Sequence, residues 1–128
     1  MLEHELTHFQ TFDTLLKARR VRPCYALPFW MIGGWILGTV TALLGERAIW
    51  VCTAAIENTV NHHLDHQVAA LTGADPEALA AVQSIRRDEE GHEDYAIGNG
   101  GEGRGLYRGL RWVVKGATSF AIWLSTKL

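Results

Sequence analysis

The chain has 128 residues, with 14 acidic and 12 basic side chains and a formal net charge of −2. This length predicts one domain, residues 1–128, with one hydrophobic core. The slightly negative net charge does not indicate nucleic acid as a partner. Cys24 and Cys52 lack metal-site or redox spacing, so we predict reduced thiols in a protein that faces the cytosol. The charged first residues predict that there is no signal peptide.

The first predicted helix runs from Met1 to about Arg20. Apolar residues recur along it at helical spacing: Leu2, Leu6, Phe9, Phe12, Leu15 and Leu16. Glu5 and His8 lie on or beside this stripe, and residues three apart share a helix face. One carboxylate and one imidazole therefore point toward the same place. The helix has no N-terminal cap, and we expect a four-helix bundle to have another helix before it.

A long apolar run follows a connector at residues 21–28, which contains Pro23 and Pro28. No charged residue occurs from Pro23 to Gly45, although three glycines interrupt the run. About 17 residues remain between Pro28 and Glu46, at the lower limit for a membrane span. Three interpretations stay open: a helix in the membrane interface or beside a lipid-like ligand, a buried core helix, and a true span. The first two are favoured over the third.

The next predicted helix extends from Glu46 to about Thr72. Its buried face is predicted from residues at helical spacing: Ile49, Thr53, Ile56, Val60, Leu64, Val68 and Leu71. Glu57 falls on this face, where an unpaired carboxylate is costly, so a partner is implied. Three histidines crowd the following turns, namely His62, His63 and His66.

A turn at residues 73–76 precedes the fourth predicted helix, in which Asp75 is the expected N-cap and Pro76 the first helical residue. This helix reaches about Ile97 and carries one register of inward residues: Leu79, Val82, Ile85, Glu89, His92 and Ala96. Residues 98–105 contain five glycines and predict a flexible loop. A last helix is predicted from Leu106, with Trp112 and Trp123 as aromatics typical of membrane interfaces.

Two Glu-x-x-His motifs on separate helices are the most informative pattern in the chain. Ferritin-like bundles hold two metal ions with two such motifs and a carboxylate from each remaining helix. Here Glu5, His8, Glu57, Glu89 and His92 supply five of those six ligands. The alternative is that residues 3–5 and 88–94 are solvated acidic faces. Glu57 favours the metal site because it lies within an apolar stripe.

Several stretches, in order along the whole chain, resemble the demethoxyubiquinone hydroxylases of ubiquinone biosynthesis. They are Glu5–His8, Arg22-Pro23, Pro28–Trp30, Thr41–Gly45, Ile56-Glu57 through His62-His63, Ile85–His92 and Ala121–Ser125. The resemblance implies an all-α, ferritin-like bundle with an extra apolar membrane-associated helix. It implies two iron ions held by the five ligands above, with Glu5 and Glu89 as bridges. His63 is implied to orient a ligand or relay a proton; an ordinary structural histidine is the alternative.

The resemblance also implies a reaction and a location. The ring of a demethoxyubiquinol would be hydroxylated with O2, with NADH as a candidate electron donor. The protein would be peripheral to the membrane, on the cytoplasmic side of a bacterial inner membrane or the matrix side of the mitochondrial inner membrane. Expected partners are the quinone, the membrane surface, other ubiquinone-biosynthesis proteins and a second copy in a homo-oligomer.

Three departures from the family pattern concern activity and substrate fit. The family's first helix, with its terminal carboxylate ligand, has no counterpart here, so the bundle is expected to be incomplete at its N-terminus. Leu64 and Trp123 stand where family members commonly have tyrosine. Two other functions stay open: a catalytically degenerate quinone-binding or assembly protein, and a ferritin-like iron-binding protein without an organic substrate.

Overall fold

The computed structural model describes all residues from Met1 to Leu128 and is all-α. Its helices are α1 (Leu2–Ala18), α2 (Leu27–Leu44), α3 (Glu46–Leu71), α4 (Pro76–Ala96) and α5 (Tyr107–Ser125). The predicted all-α helical bundle is confirmed, and each predicted helix agrees with an observed one to within about two residues, the usual uncertainty of helix ends.

Helix α3 is the central element, because α2, α4 and α5 all pack against it. Its most buried positions are mostly small, which lets several neighbours approach the same helix closely: Ala48, Val51, Cys52, Ala54 and Ala55. The predicted apolar stripe of α3 is therefore only partly right. Leu64 is buried, but Ile49 is exposed and the stripe's other members are partly buried. A helix contacted from several sides buries more than one stripe.

Helices α3 and α4 form a hairpin around a four-residue turn. The Asp75 carboxylate accepts a hydrogen bond from the Ala78 amide at 3.0 Å, which confirms the predicted N-cap. The inward register of α4 is confirmed at Val82, Ile85, Glu89, His92 and Ala96, whereas Ala78 rather than Leu79 is fully buried at its start. Phe12 of α1 packs against the cluster of Leu64, Val82 and Ile85, which closes this end of the bundle.

The first half of the glycine-rich segment 98–105 is not the free loop that its composition predicts. Residues Ile97–Gly101 extend α4 by a wide turn that packs against α3, with a kink at Asn99 and Gly100, whose backbone is not helical. Gly100 has φ of +97°, which favours glycine. A Cβ at Gly101 would lie 2.7 Å from the carbonyl oxygens of both Ala96 and Trp50. Glycine is thus required here for close contact with α3.

Helix α2 packs on α3 but leaves most of its surface open. Thr41 is its only fully buried residue, and Trp35 and Leu43 are 73% and 84% exposed. The interpretation of α2 as a buried core helix is therefore wrong for this structure. By length and composition alone, α2 is the one helix that could cross a membrane. The Trp30 indole donates a hydrogen bond to Ser125 Oγ at 2.9 Å, which links the start of α2 to the end of α5.

Candidate metal centre

The two Glu-x-x-His motifs meet where α1 packs on α4. His8 is the only fully buried residue of α1, and its Nδ1 lies 2.9 Å from Glu89 Oε1. On the other side, His92 Nδ1 lies 3.3 Å from Glu89 Oε2 and 3.5 Å from Glu5 Oε1. The carboxylate of Glu89 therefore lies between the two imidazoles.

The third carboxylate comes from α3. Glu57 is buried, and ligand atoms of Glu5, Glu57, Glu89 and His92 all lie within 4.8 Å of one another. His8 joins this group through its contact with Glu89. The structure therefore brings together all five residues predicted from the sequence as metal ligands. We refer to these five residues as the carboxylate centre.

Burial and crowding strongly perturb the acids of this centre. Burial raises the pKa of Glu57 to about 9, helped by a hydrogen bond with Glu89 and by the charges of Glu89, Glu5 and Glu93. Burial and the charge of Glu89 also raise the pKa of Glu5, although the neighbouring imidazoles oppose this. A pKa raised this far predicts that Glu57 is protonated at neutral pH in the absence of a bound cation.

The donor set fits two hard divalent cations. Carboxylate oxygens with about one imidazole per ion suit iron or manganese, and three carboxylates largely neutralise two such ions. The contact of His8 Nδ1 with Glu89 has the distance but not the angles of a hydrogen bond, and Nδ1 is buried without a hydrogen-bond partner. A buried lone pair that faces a carboxylate is the arrangement expected around a cation.

Two outer partners of the imidazoles were not predicted. Asp88 Oδ2 lies 3.0 Å from His8 Nε2, and this hydrogen bond lowers the pKa of Asp88. On the other side, His4 Nδ1 lies 3.1 Å from His92 Nε2. The sequence does contain a sign of these partners. A polar residue directly precedes the glutamate of each Glu-x-x-His motif, His4 before Glu5 and Asp88 before Glu89. Partners of this kind fix the tautomer and orientation of ligand histidines.

A polar cluster beside the centre was also missed. The carboxylate of Glu93 accepts hydrogen bonds from Asn58 and Asn61 at 2.8 and 2.9 Å. Lys115 Nζ of α5 donates a hydrogen bond to Asn58 Oδ1, the side-chain amide oxygen, at 2.5 Å. These contacts connect α3, α4 and α5 next to His92. No residue spacing within one helix reveals them, since each bond joins residues at least 32 positions apart.

His63 does not join the carboxylate centre. Its Nε2 lies 3.1 Å from the Gln67 side-chain nitrogen, and it lines a cavity of about 280 Å³ between α3 and α5. Burial lowers the pKa of His63, and the nearby charge of His66 contributes. The role of His63 in orienting a ligand or relaying a proton stays a prediction.

Comparison with known proteins identifies relatives across the whole chain. Residues 1–125 match the family described as ubiquinone biosynthesis protein COQ7. The chain is 36% identical over 128 residues to a 3-demethoxyubiquinol 3-hydroxylase of Rhodospirillum rubrum, covering 100% of this chain and 60% of that protein. It is 34% and 33% identical to the mitochondrial NADPH-dependent 3-demethoxyubiquinone 3-hydroxylases of Bos taurus and Homo sapiens, covering 100% of this chain and 61% of each. The chain thus spans about three fifths of the length of these curated relatives.

Proposed function

We propose a function from one established premise: this chain belongs to the family of the ubiquinone biosynthesis protein COQ7. Its relatives named above are hydroxylases of demethoxyubiquinol or demethoxyubiquinone. We infer that this chain carries the di-iron site of such a monooxygenase and hydroxylates the ring of a demethoxyubiquinol. The observation that carries this proposal is the buried Glu89 carboxylate between His8 and His92, with Glu57 beside it.

Each ligand has a distinct role in this proposal. Glu5 and Glu89 are the bridging carboxylates, because each comes from a Glu-x-x-His motif and Glu89 already contacts both imidazoles. His8 and His92 each supply one nitrogen, and Glu57 closes the centre from α3. Two bound iron ions would supply the site where O2 takes up two electrons from the reductant, so that one oxygen atom converts an aromatic C–H bond to C–OH and the other is released as water.

The chain's own residues prepare this chemistry in two ways. Burial of Glu57, Glu89 and His92 keeps bulk water from the ligand atoms. Glu57 must lose its proton before it can bind a cation. We therefore expect cation binding to release one proton from the carboxylate centre. With two divalent cations the three ionised carboxylates would leave a net charge of only about +1, and without cations the raised pKa of Glu57 favours its protonated form.

The membrane surface is the proposed source of the quinone. Helix α2 presents a row of exposed apolar residues, which includes Phe29, Met31, Ile32, Trp35, Ile36 and Leu43. Exposed aromatics of α5 add Trp112, Phe120 and Trp123. Large exposed apolar surfaces mark membrane or protein contacts, and indole rings favour the interface. We propose peripheral attachment through α2, with the quinone tail along this helix.

The electron donor is part of the proposal. The bovine and human relatives are named as NADPH-dependent, so NADPH is the first reductant to test and NADH, the donor expected from the sequence, is the second. O2 is the co-substrate. Other ubiquinone-biosynthesis proteins and a second copy of the chain are proposed partners of the exposed apolar faces.

The test compares two neighbouring acids on α4. Protein reconstituted anaerobically with ferrous iron should bind about two iron ions per chain. Glu89→Ala should lose both ions, because a bridging carboxylate holds both. Glu90→Ala is the matched control, since Glu90 is exposed and pairs with Arg86 at 2.9 Å. If only the Glu90 variant loses iron, the metal site lies on the face of α4 that carries Glu90, and the proposed register is wrong.

Turnover then separates the hydroxylase from the two alternatives. Iron-loaded protein with vesicles, a demethoxyubiquinol, reductant and O2 should add one oxygen atom to the ring, detected by mass spectrometry. Iron binding without product but with a bound quinone would indicate a degenerate quinone-binding protein. Iron oxidation with neither product nor bound quinone would indicate an iron-binding protein of the ferritin type.

A further inference from the structure

We propose a second metal site, on the outer face of α3, formed by His62 and His66. Residues four apart lie on one helix face, and the two imidazole centroids are 4.7 Å apart. Two histidines at this spacing bind zinc on helices. This site is separate from the carboxylate centre and does not depend on the proposed function.

Both imidazoles are available to a metal ion. His62 and His66 are exposed, and neither ring forms a hydrogen bond within the protein, whereas His63 between them contacts Gln67. The pair borders the cavity between α3 and α5, where Ser119 and Thr126 contribute hydroxyl groups. Those hydroxyls can hold water molecules that complete the coordination of an ion bound by two nitrogens.

The chemistry of the pair selects a different class of ion from the carboxylate centre. Imidazole nitrogen suits zinc, copper and nickel, whereas carboxylate oxygen favours harder cations. The pair contains no carboxylate, so it is a poor site for magnesium and calcium ions, which prefer oxygen ligands. We therefore assign His62 and His66 to a borderline transition metal ion, with Ni²⁺ as a convenient probe.

Titration of untagged protein tests this site. The carboxylate centre is first filled with ferrous iron anaerobically, and Ni²⁺ binding is then measured by calorimetry. Loss of even an outer partner of a metal ligand costs 10–100-fold in affinity, so His62→Asn or His66→Asn should weaken Ni²⁺ binding at least about tenfold. His63→Asn is the matched control and should leave binding unchanged.

Two results would overturn the site. Either wild-type protein binds no Ni²⁺ beyond its iron, or His66→Asn binds it as well as wild type does. Weakening by His63→Asn as large as that by His66→Asn would also contradict a two-histidine site. An unchanged thermal midpoint in each variant shows that the helix itself is intact.

A second inference rests on the proposed iron centre and concerns His4. We infer that His4 is a positioning residue for His92, in the place that Asp88 takes for His8. His4 Nδ1 lies 3.1 Å from His92 Nε2, and the two rings stack with centroids 5.2 Å apart and planes 24° apart. Asp88 Oδ2 lies 3.0 Å from His8 Nε2.

The two partners differ in charge, which makes the two halves of the centre unequal. His92 turns Nδ1 toward Glu5 and Glu89, so binding an ion through Nδ1 requires its proton on Nε2. His4 Nδ1 then accepts that proton's hydrogen bond as a neutral group. Asp88 instead offers a carboxylate, which makes the His8 imidazole a stronger donor to an ion. The ion beside His92 is therefore held more weakly than the ion beside His8.

Iron binding and Mössbauer spectra of His4 variants test this asymmetry. His4→Ala should weaken one of the two iron ions at least about tenfold and leave the other unchanged. His4→Asp should restore binding and bring the two Mössbauer signals closer together than in wild type. A residue that only stabilises α1 would not change the spectra in this way.

The outcomes distinguish this inference from the proposed function. Wild-type protein without bound iron overturns both. If wild type binds two iron ions and His4→Ala binds both with the same affinities, the role of His4 is wrong but the proposed function is not affected. His4 is exposed at the start of α1, so its replacement should leave the unfolding midpoint unchanged, which a thermal scan of the metal-free variants checks.

Discussion

Replacing Glu57 by glutamine tests the electrostatics of the carboxylate centre most directly. We expect metal-free wild-type protein to hold Glu57 protonated at neutral pH, because burial and the nearby acids raise its pKa from the ordinary value of 4.5 to about 9. The unfolded chain ionises the same group near pH 4.5. Folding at pH 7 therefore has to take up a proton, and this uptake costs stability.

The size of the cost follows from the pKa difference. Each pH unit between the unfolded pKa and the working pH costs about 1.4 kcal/mol, so the interval from 4.5 to 7 sets an upper value of about 3 kcal/mol. Glutamine retains a neutral polar group that can donate to Glu89 without taking up a proton. We expect Glu57→Gln to stabilise the metal-free protein at pH 7 by about 1 to 3 kcal/mol.

The sign of the pH dependence is also fixed. A raised carboxyl pKa in the folded state gives wild-type protein its full stability below about pH 4.5, and this contribution is lost as the pH rises toward 9. The free energies of unfolding of wild type and Glu57→Gln should therefore be similar below about pH 4.5 and should differ increasingly as the pH rises toward 9. We expect the proposed iron binding to reverse the order, because bound ions would stabilise wild type and Glu57→Gln would lack one ligand.

Denaturant unfolding in mild detergent, with and without chelator, measures both effects. Glu90→Gln is the control, since that exposed side chain should change stability by less than about 0.5 kcal/mol at any pH. Two results together would refute the proposed protonation of Glu57. With chelator, Glu57→Gln would be less stable than wild type at pH 7, and the stabilities of the two proteins would change in the same way from pH 5 to 9.

Three further predictions concern packing, membrane binding and His63. Gly101→Ala should destabilise by about 2 kcal/mol in urea unfolding, because its Cβ would meet two carbonyl oxygens; Gly98→Ala has open space and should not, and equal effects would contradict the close packing. Trp35→Ser should weaken sedimentation with vesicles and reduce the fluorescence blue shift on lipid addition, whereas release of wild type by salt alone would argue against an inserted apolar face. His63→Gln should keep both iron ions in a metal assay, and loss of iron would place His63 in the centre.

The register of α4 could be predicted from sequence alone. Its neighbours lie on one side, so a 3.6-residue period predicts the buried face, and Glu89 and His92 fall on it together. The acid on α3 was equally readable, because Glu57 interrupts an apolar stretch and a buried charge needs partners. Together with the Glu5-x-x-His8 motif of α1, these local patterns pointed to all five residues of the carboxylate centre.

The contacts between side chains of different helices became clear from the three-dimensional structure and not from the sequence. His4 and His92 are 88 positions apart, and Asp88 and His8 are 80 apart, so no period within one helix connects them. Composition also failed where geometry controls burial. The apolar α2 lies mostly exposed, while the glycine-rich turn at 97–101 packs tightly because small residues allow backbones to approach closely. The burial of a segment depends on which other helices pack against it, and the sequence of that segment alone does not contain this information.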